Sequence, residues 1–333
     1  MNTTRGFVTG ISLFAVISVD AQDFEIPSEW IDSGMQVIQQ LDTMGIDVTQ
    51  LVNGPPPAEW QQFWTGIESS LHSESLDEMA WMLPEVKAAL GLLDQVPSAR
   101  PYADWLRQRL DYFEMASEVL QEEEDVAPPP RKPEGKPKIV TPKKPVPPSP
   151  PSPQKRAVSN KKAADLGKWE KKLASRPAPK NAAQLVPGLK RVFRAEGIPE
   201  ALVWMAEVES SFDPAARSPV GATGLFQFMP ATAKRFGLQV SPTDERLQPN
   251  RIALAAAKYL KFLHRRFGSW PLAMAAYNAG EGRVGGLLSK HKATTFDQIA
   301  DKLPLETRMY VPKIIATVKL REGVDARTLP GPG

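Results

Sequence analysis

No cysteine occurs anywhere in the 333 residues, and histidine occurs only as His72, His264 and His291. The chain therefore has no disulfide framework, no thiolate for a metal and no thiol to carry a lipid anchor. The three histidines are too scattered in sequence to suggest a ligand pair, so neither a metal nor a cofactor is expected. A glycine-rich phosphate loop ending in Lys-Ser/Thr is missing, as is a Gly-x-Ser-x-Gly nucleophile turn. The net charge of +3 and pI of about 8.9 are too slight to argue for a nucleic-acid partner. The apolar run from Phe7 to Val19 is too short to span a bilayer comfortably. With Arg5 ahead of it and Val19-Asp-Ala21 behind, it predicts an export signal over 1–21 and no stable membrane span afterwards.

What the chain has in excess is proline: 33 residues, about twice average usage, densest in one segment. Residues 127–162 run through Pro-Pro-Pro130 and Pro147-Pro-Ser-Pro-Pro-Ser-Pro153 and carry many Lys and Arg against the single Glu134. Such a segment has little to bury and reads as a basic, semi-rigid linker. Residues 22–126 read as a small helical bundle, an accessory domain to which no chemistry is assigned, with Trp30, Trp60, Trp64, Trp81 and Trp105 expected in its core. Residues 163–325 read as a second helical domain and 326–333 as a flexible tail. Pro230 to Phe236 opens on proline and is closed by Gly237, and Asn250 to Phe267 is closed by Gly268. No stretch alternates with period two for long, so the fold class is all-α.

One carboxylate stands out. On a helix expected from Pro199 to Ser210, Glu209 lies seven residues after Leu202 and four after Met205, which puts the three on one apolar face. Burial there would raise its pKa, as a proton donor working near neutral pH requires. Glu207 lies about 200° away and reads as solvated. Asp213-Pro214 is expected to stop the helix. The loop that follows holds Gly221 and Gly224, suited to tight turns or close approach to a ligand, and Gln227, which can donate and accept together. Phe226 and Phe228 could be walls or core. No clear second acid emerges, since Glu306 reads as a helix-start or scaffold residue.

Glu209-Ser-x-Phe, Ser218-x-x-Gly-Ala-x-Gly-Leu-x-Gln-x-Met-Pro230, Ala276-Tyr-Asn-Ala-Gly280 and Glu306-Thr-Arg-x-Tyr-Val311 resemble, in order, the motifs of the soluble lytic transglycosylase family. The resemblance covers roughly residues 180 to 322. It implies a goose-type lysozyme-like α fold and cleavage of the β-1,4 bond between N-acetylmuramic acid and N-acetylglucosamine, leaving a 1,6-anhydro end. By the same resemblance Glu209 is the catalytic acid and base. Ser210, Ser218, Gln227, Tyr277, Asn278 and Tyr310 lie at or near the substrate, and Gly221, Gly224 and Gly280 shape the site. The implied partner is the peptidoglycan glycan strand, in the periplasm or at the cell wall. The accessory bundle and linker leave open a further envelope or wall partner. A hydrolytic muramidase on the same fold and a non-catalytic wall-binding protein are the alternatives.

Overall fold

The computed structural model describes residues 66–94, 100–126 and 160–333, apart from positions 68, 74 and 162. The export signal, Trp30, Trp60, Trp64 and residues 127–159 of the linker lie outside the described residues. The described chain is helical, as expected, and its only β pairing is a pair of isolated bridges, Arg217 with Thr223 and Thr223 with Phe228.

Helices α1 (Leu76–Trp81), α2 (Leu83–Leu93) and α3 (Arg100–Val126) come first, followed by α4 (Leu166–Leu173) and α5 (Ala182–Ala195). A 3₁₀ turn, Glu200–Trp204, leads into the short α6 (Met205–Ser210). Then come α7 (Pro230–Arg235), α8 (Pro249–Phe267), α9 (Trp270–Ala279), α10 (Glu281–His291), α11 (Phe296–Ile299) and α12 (Leu305–Glu322). The punctuation follows the sequence: Pro230 sits in the first turn of α7, and α8 ends at Gly268 with φ 75°.

The elements share their interior through α12. Every residue from Leu305 to Val318 is buried, as befits a helix covered on all sides. On one side α9 packs against it, α8 packs against α9 and α5, and together they enclose Phe193, Phe226, Leu260, Trp270 and Ile314. On the other, Leu305, Met309 and Ala316 join a core built by α1, α2 and α3 together with Trp169 and Leu173 of α4. The N-terminal helices therefore bury their apolar face against the same helix that carries the Glu306-Thr-Arg-x-Tyr-Val311 motif.

A buried ionic cluster fixes this union. Lys313 of α12 lies 3.0 Å from Asp111 of α3 and donates to the Gln108 carbonyl at 2.9 Å, while Arg176 forks onto both Asp111 oxygens at 2.6 and 2.8 Å. Breaking such a pair leaves an uncompensated buried charge. Burial pulls the Lys313 ammonium below its usual range, whereas Lys313 and Arg176 together outweigh burial at Asp111 and hold its carboxyl well below the carboxylate range. At the surface, Lys168 meets Glu122 at 2.6 Å and Lys172 meets Glu118 at 2.7 Å, so α3 and α4 run antiparallel.

Three expectations need correction. Trp105 is core but Trp81 is 47% exposed, because the bundle face it occupies has no covering element among the described residues. The helical region begins before the linker was expected to end, since Asn160 and Lys161 are helical and Asn160 is buried. Residues 326–333 are not a free tail. Ala326 is fully buried, Trp270 donates its indole N–H to the Pro330 carbonyl at 3.0 Å, and the Gly333 amide bonds to the Gly197 carbonyl at 2.8 Å.

Candidate active site

The short α6 delivers Glu209 to the interior, 7% exposed, at the junction of α3, α6 and α12. All six of its residues are buried, so it has no solvated face. That corrects the reading of Glu207. Equally buried, it accepts a forked pair of bonds from Arg321 of α12 at 2.6 and 2.8 Å. Periodicity on α6 could reveal the face turned inward but not the element that covers the other face, which arrives more than a hundred residues later.

The helix also stops before Asp213-Pro214. Ser211 and Phe212 both take left-handed backbone angles, φ 49° and 57°, and the Phe212 amide reaches back to the Ala206 carbonyl at 3.2 Å. Two successive non-glycine residues there carry a strain of order 1–2 kcal/mol each. Burial of the Phe212 ring against Trp204, with centroids 5.4 Å apart, holds it in place. Asp213 instead accepts from the Ala215 amide at 2.9 Å and organises the next turn.

Glu209 is an acid poised near neutrality. Burial pushes its pKa from 4.5 to about 7, against the downward pull of a hydrogen bond from Tyr310 and of the Arg109 and Lys313 charges, with Glu306 pushing the same way as burial. The Tyr310 hydroxyl donates to Glu209 Oε1, and its own ionisation is driven well up by burial and by that carboxylate, so it remains a donor. Tyr277, likewise driven up, donates to the Phe226 carbonyl at 2.7 Å and holds the glycine loop from below.

The loop is built from its own backbone. Ser218 accepts from the Ala222 amide at 2.8 Å, and the Ser218 amide bonds back to the Ala222 carbonyl at 2.8 Å, closing a turn at Gly221, φ 91°. Gly224, φ 81°, presses against the chain at Arg246, where an added Cβ would lie 2.0 Å from the Arg246 carbonyl oxygen. The buried Arg246 guanidinium then bonds the Gly221 and Phe228 carbonyls, both at 2.8 Å. Phe226 and Phe228 are core residues.

The other residues singled out in the sequence divide into two groups. Ser210 is fully buried and donates to the Ala206 and Leu225 carbonyls at 3.1 and 2.8 Å, clamping the loop to the end of α6. The amide nitrogen of Gln227 is held by the Ala216 and Gly224 carbonyls at 3.3 and 3.0 Å, leaving its Oε1 buried without a hydrogen-bond partner. Asn278 Oδ1 accepts from Thr307 at 2.6 Å, tying α9 to α12, and Gly280, φ 89°, joins the end of α9 to the start of α10. Tyr310 alone among them touches the Glu209 carboxylate. Thr307, Arg246, Arg321 and Arg109 went unnoticed in the sequence. Thr307 lies inside a quoted motif; the three arginines had no local signal, because each acts across a tertiary contact. Among the described residues no three His, Asp or Glu side chains gather as a metal ligand set, and no helix is long and apolar enough to cross a membrane.

The helical scaffold thus buries the Glu209 carboxylate under a tyrosine, beside a glycine-shaped loop. The model of the Transglycosylase SLT domain matches residues 193–299. Over 127 residues the chain is 39% identical to the membrane-bound lytic murein transglycosylase D of Escherichia coli (strain K12), covering 37% of this chain and 28% of that protein. It is 38% identical over 121 residues to the soluble lytic murein transglycosylase of Salmonella typhimurium, covering 34% and 19%. It is 40% identical over 119 residues to the peptidoglycan transglycosylase gp16 of Escherichia phage T7, covering 34% and 9%. The chain thus spans less than a third of the length of each of these relatives. A solved structure of an inactive lytic transglycosylase Slt from Pseudomonas aeruginosa aligns with 98% of this chain and 73% of its own, at a TM-score of 0.39 and 16% identity.

Proposed function

We propose that the protein is a peptidoglycan lytic transglycosylase in which Glu209 serves as both acid and base. The observation that carries this reading is the buried, Tyr310-bonded Glu209 with its pKa at about 7, inside the segment that the SLT model matches. At neutral pH a sizeable fraction of Glu209 is protonated and can donate to the glycosidic oxygen as the C1–O4 bond between N-acetylmuramic acid and N-acetylglucosamine breaks. The N-acetylglucosamine leaves with that proton. The C6 hydroxyl of the muramic acid then attacks its own C1, and Glu209, now a carboxylate, takes the hydroxyl proton. A 1,6-anhydro ring forms and the acid is restored with no water consumed.

Ordinary two-acid glycosidases hold a free second carboxylate across the bond. Here the nearby candidates are engaged: Glu207 with Arg321, Asp213 with the Ala215 amide, and Glu306 with Arg109 at 3.6 Å. That favours assistance from the substrate's own acetamide over a hydrolytic muramidase. Within the same reading, Asn278, Gln227 and Tyr277 line or shape the groove, Ser210, Ser218 and the three glycines hold it, and the protein acts after export, in the periplasm or at the wall.

The test is mass spectrometry of fragments released from purified peptidoglycan by the full chain and by Glu209→Gln. Anhydro-muramyl ends from the wild type and none from the variant are expected. Reducing ends would replace the reading with a muramidase, and an inert wild type that still binds peptidoglycan would replace it with a binding protein.

A further inference from the structure

The SLT match begins at residue 193, yet a helix far upstream reaches the site. On α3, Arg109 stacks over Trp105 one turn earlier, its guanidinium carbon 4.2 Å from the ring centroid. The stack aims the side chain at α12, where Arg109 Nε lies 3.6 Å from Glu306 Oε1. Both members are largely withdrawn from water, at 14% and 10% side-chain exposure. Glu306 lies one helical turn before Tyr310, on the same face of α12, so its side chain neighbours the phenol that bonds Glu209. Three residues beyond Tyr310, α12 continues into Lys313, which is held by Asp111 of the same α3.

We propose that Arg109 is a positioning residue of the active site, supplied from outside the segment that the SLT model matches, whose pairing with Glu306 offsets the charge of that second carboxylate beside the Tyr310–Glu209 pair. This inference rests on the catalytic reading of Glu209. Its physical basis is that two neighbouring buried carboxylates cannot ionise independently; without a cation one takes up a proton at the other's expense. With Arg109 in place the charge on Glu306 has a partner within 3.6 Å, and its effect on Glu209 is offset. The groups that surround Glu209 are Glu306, Tyr310 and Lys313 of α12, Arg109 and Tyr112 of α3, and Tyr277 of α9. Glu207 on its own helix is neutralised by Arg321, and Glu200 on the preceding turn is directed to Arg194. Of these, Arg109 and Lys313 are the cations; Lys313 already has Asp111, which leaves Arg109 to offset Glu306.

The experiment uses the full chain. Initial rates of fragment release from sonicated peptidoglycan are measured from pH 5 to 9, and the Glu209 side-chain carboxyl is titrated directly by ¹³C NMR, its resonance assigned by loss in Glu209→Gln. In Arg109→Met the alkaline limb and the NMR midpoint are expected to rise by about one pH unit, the low end of what the loss of a nearby opposite charge produces. Arg109→Lys should stay near wild type, Glu306→Gln should lower the midpoint, and the double variant should return it towards wild type. A slower Arg109→Met enzyme with both limb and midpoint unmoved would overturn the proposal and leave Arg109 a packing residue. If Arg109→Met does not fold, an unmoved midpoint in Glu306→Gln overturns it equally. A wild type that releases no anhydro product would defeat the functional reading, while the NMR midpoints would still decide the role of Arg109.

Discussion

Replacing Glu209 by glutamine should abolish turnover and, at the same time, stabilise the fold in a pH-dependent way. The wild-type side chain has a folded pKa of about 7 against an ordinary 4.5, because burial penalises its charge. Below pH 4.5 it is neutral in both folded and unfolded chains and the penalty is absent. As pH rises from 4.5 to 7 the unfolded chain ionises while the folded chain holds its proton, so wild-type stability falls. Above 7 the loss levels off at the full difference in proton affinity, about 3 kcal/mol at 1.36 kcal/mol per pH unit. Glutamine keeps the acceptor for Tyr310 and has no charge to bury. Urea unfolding of both proteins at pH 4.5 and pH 8 should therefore give nearly equal stabilities at the lower pH and a variant more stable by about 3 kcal/mol at the higher. Activity should drop by about a thousandfold or more, since one group supplies both proton transfers. An equal stability difference at the two pH values would refute the claim that Glu209 is held neutral by burial, whatever the activity did.

Other substitutions test the supports of the site. Tyr310→Phe removes a hydrogen bond that favours the Glu209 carboxylate, so the rate should fall by about ten- to a hundredfold and the alkaline limb of its pH profile should move up. Gly224→Ala combines a left-handed backbone with a Cβ driven into the Arg246 carbonyl, and thermal unfolding should report a loss of about 3 kcal/mol. Glu207→Gln leaves the Arg321 guanidinium buried without its charge partner, and chemical denaturation should show a cost of about 3 kcal/mol, with the pH dependence of any remaining activity unchanged.

Much of the site was legible because its signals are local. The caps of α7 and α8, the glycine turn at 221 and the burial of Glu209 all follow from neighbouring residues in the chain. What escaped depends on distant segments meeting. Glu207 looked solvated because a 3.6-residue period reports one buried stripe, whereas α12 covers the remaining face of α6. Gln227 carried the right groups for sugar contact, yet its left-handed backbone, φ 47°, turns its amide nitrogen onto the loop that displays it. The helices before residue 127 gave a credible bundle but no hint that Arg109 and Asp111 complete a polar seam with α12.

The antiparallel pairing of α3 and α4 bears on the proline-rich stretch between them. Glu122 and Lys168, on either side of it in sequence, are pinned side by side, so α3 and α4 belong to one body. Lengthening that stretch changes only its closure entropy, about 0.6 kcal/mol for each doubling, and leaves the two helices where they are. Extra residues between the two helices would add nothing to the distance that Glu209 can travel from α3. The chain on both sides of that stretch, up to Val126 and from the buried Asn160, is bound into the body that holds Arg109, whatever the number of residues between.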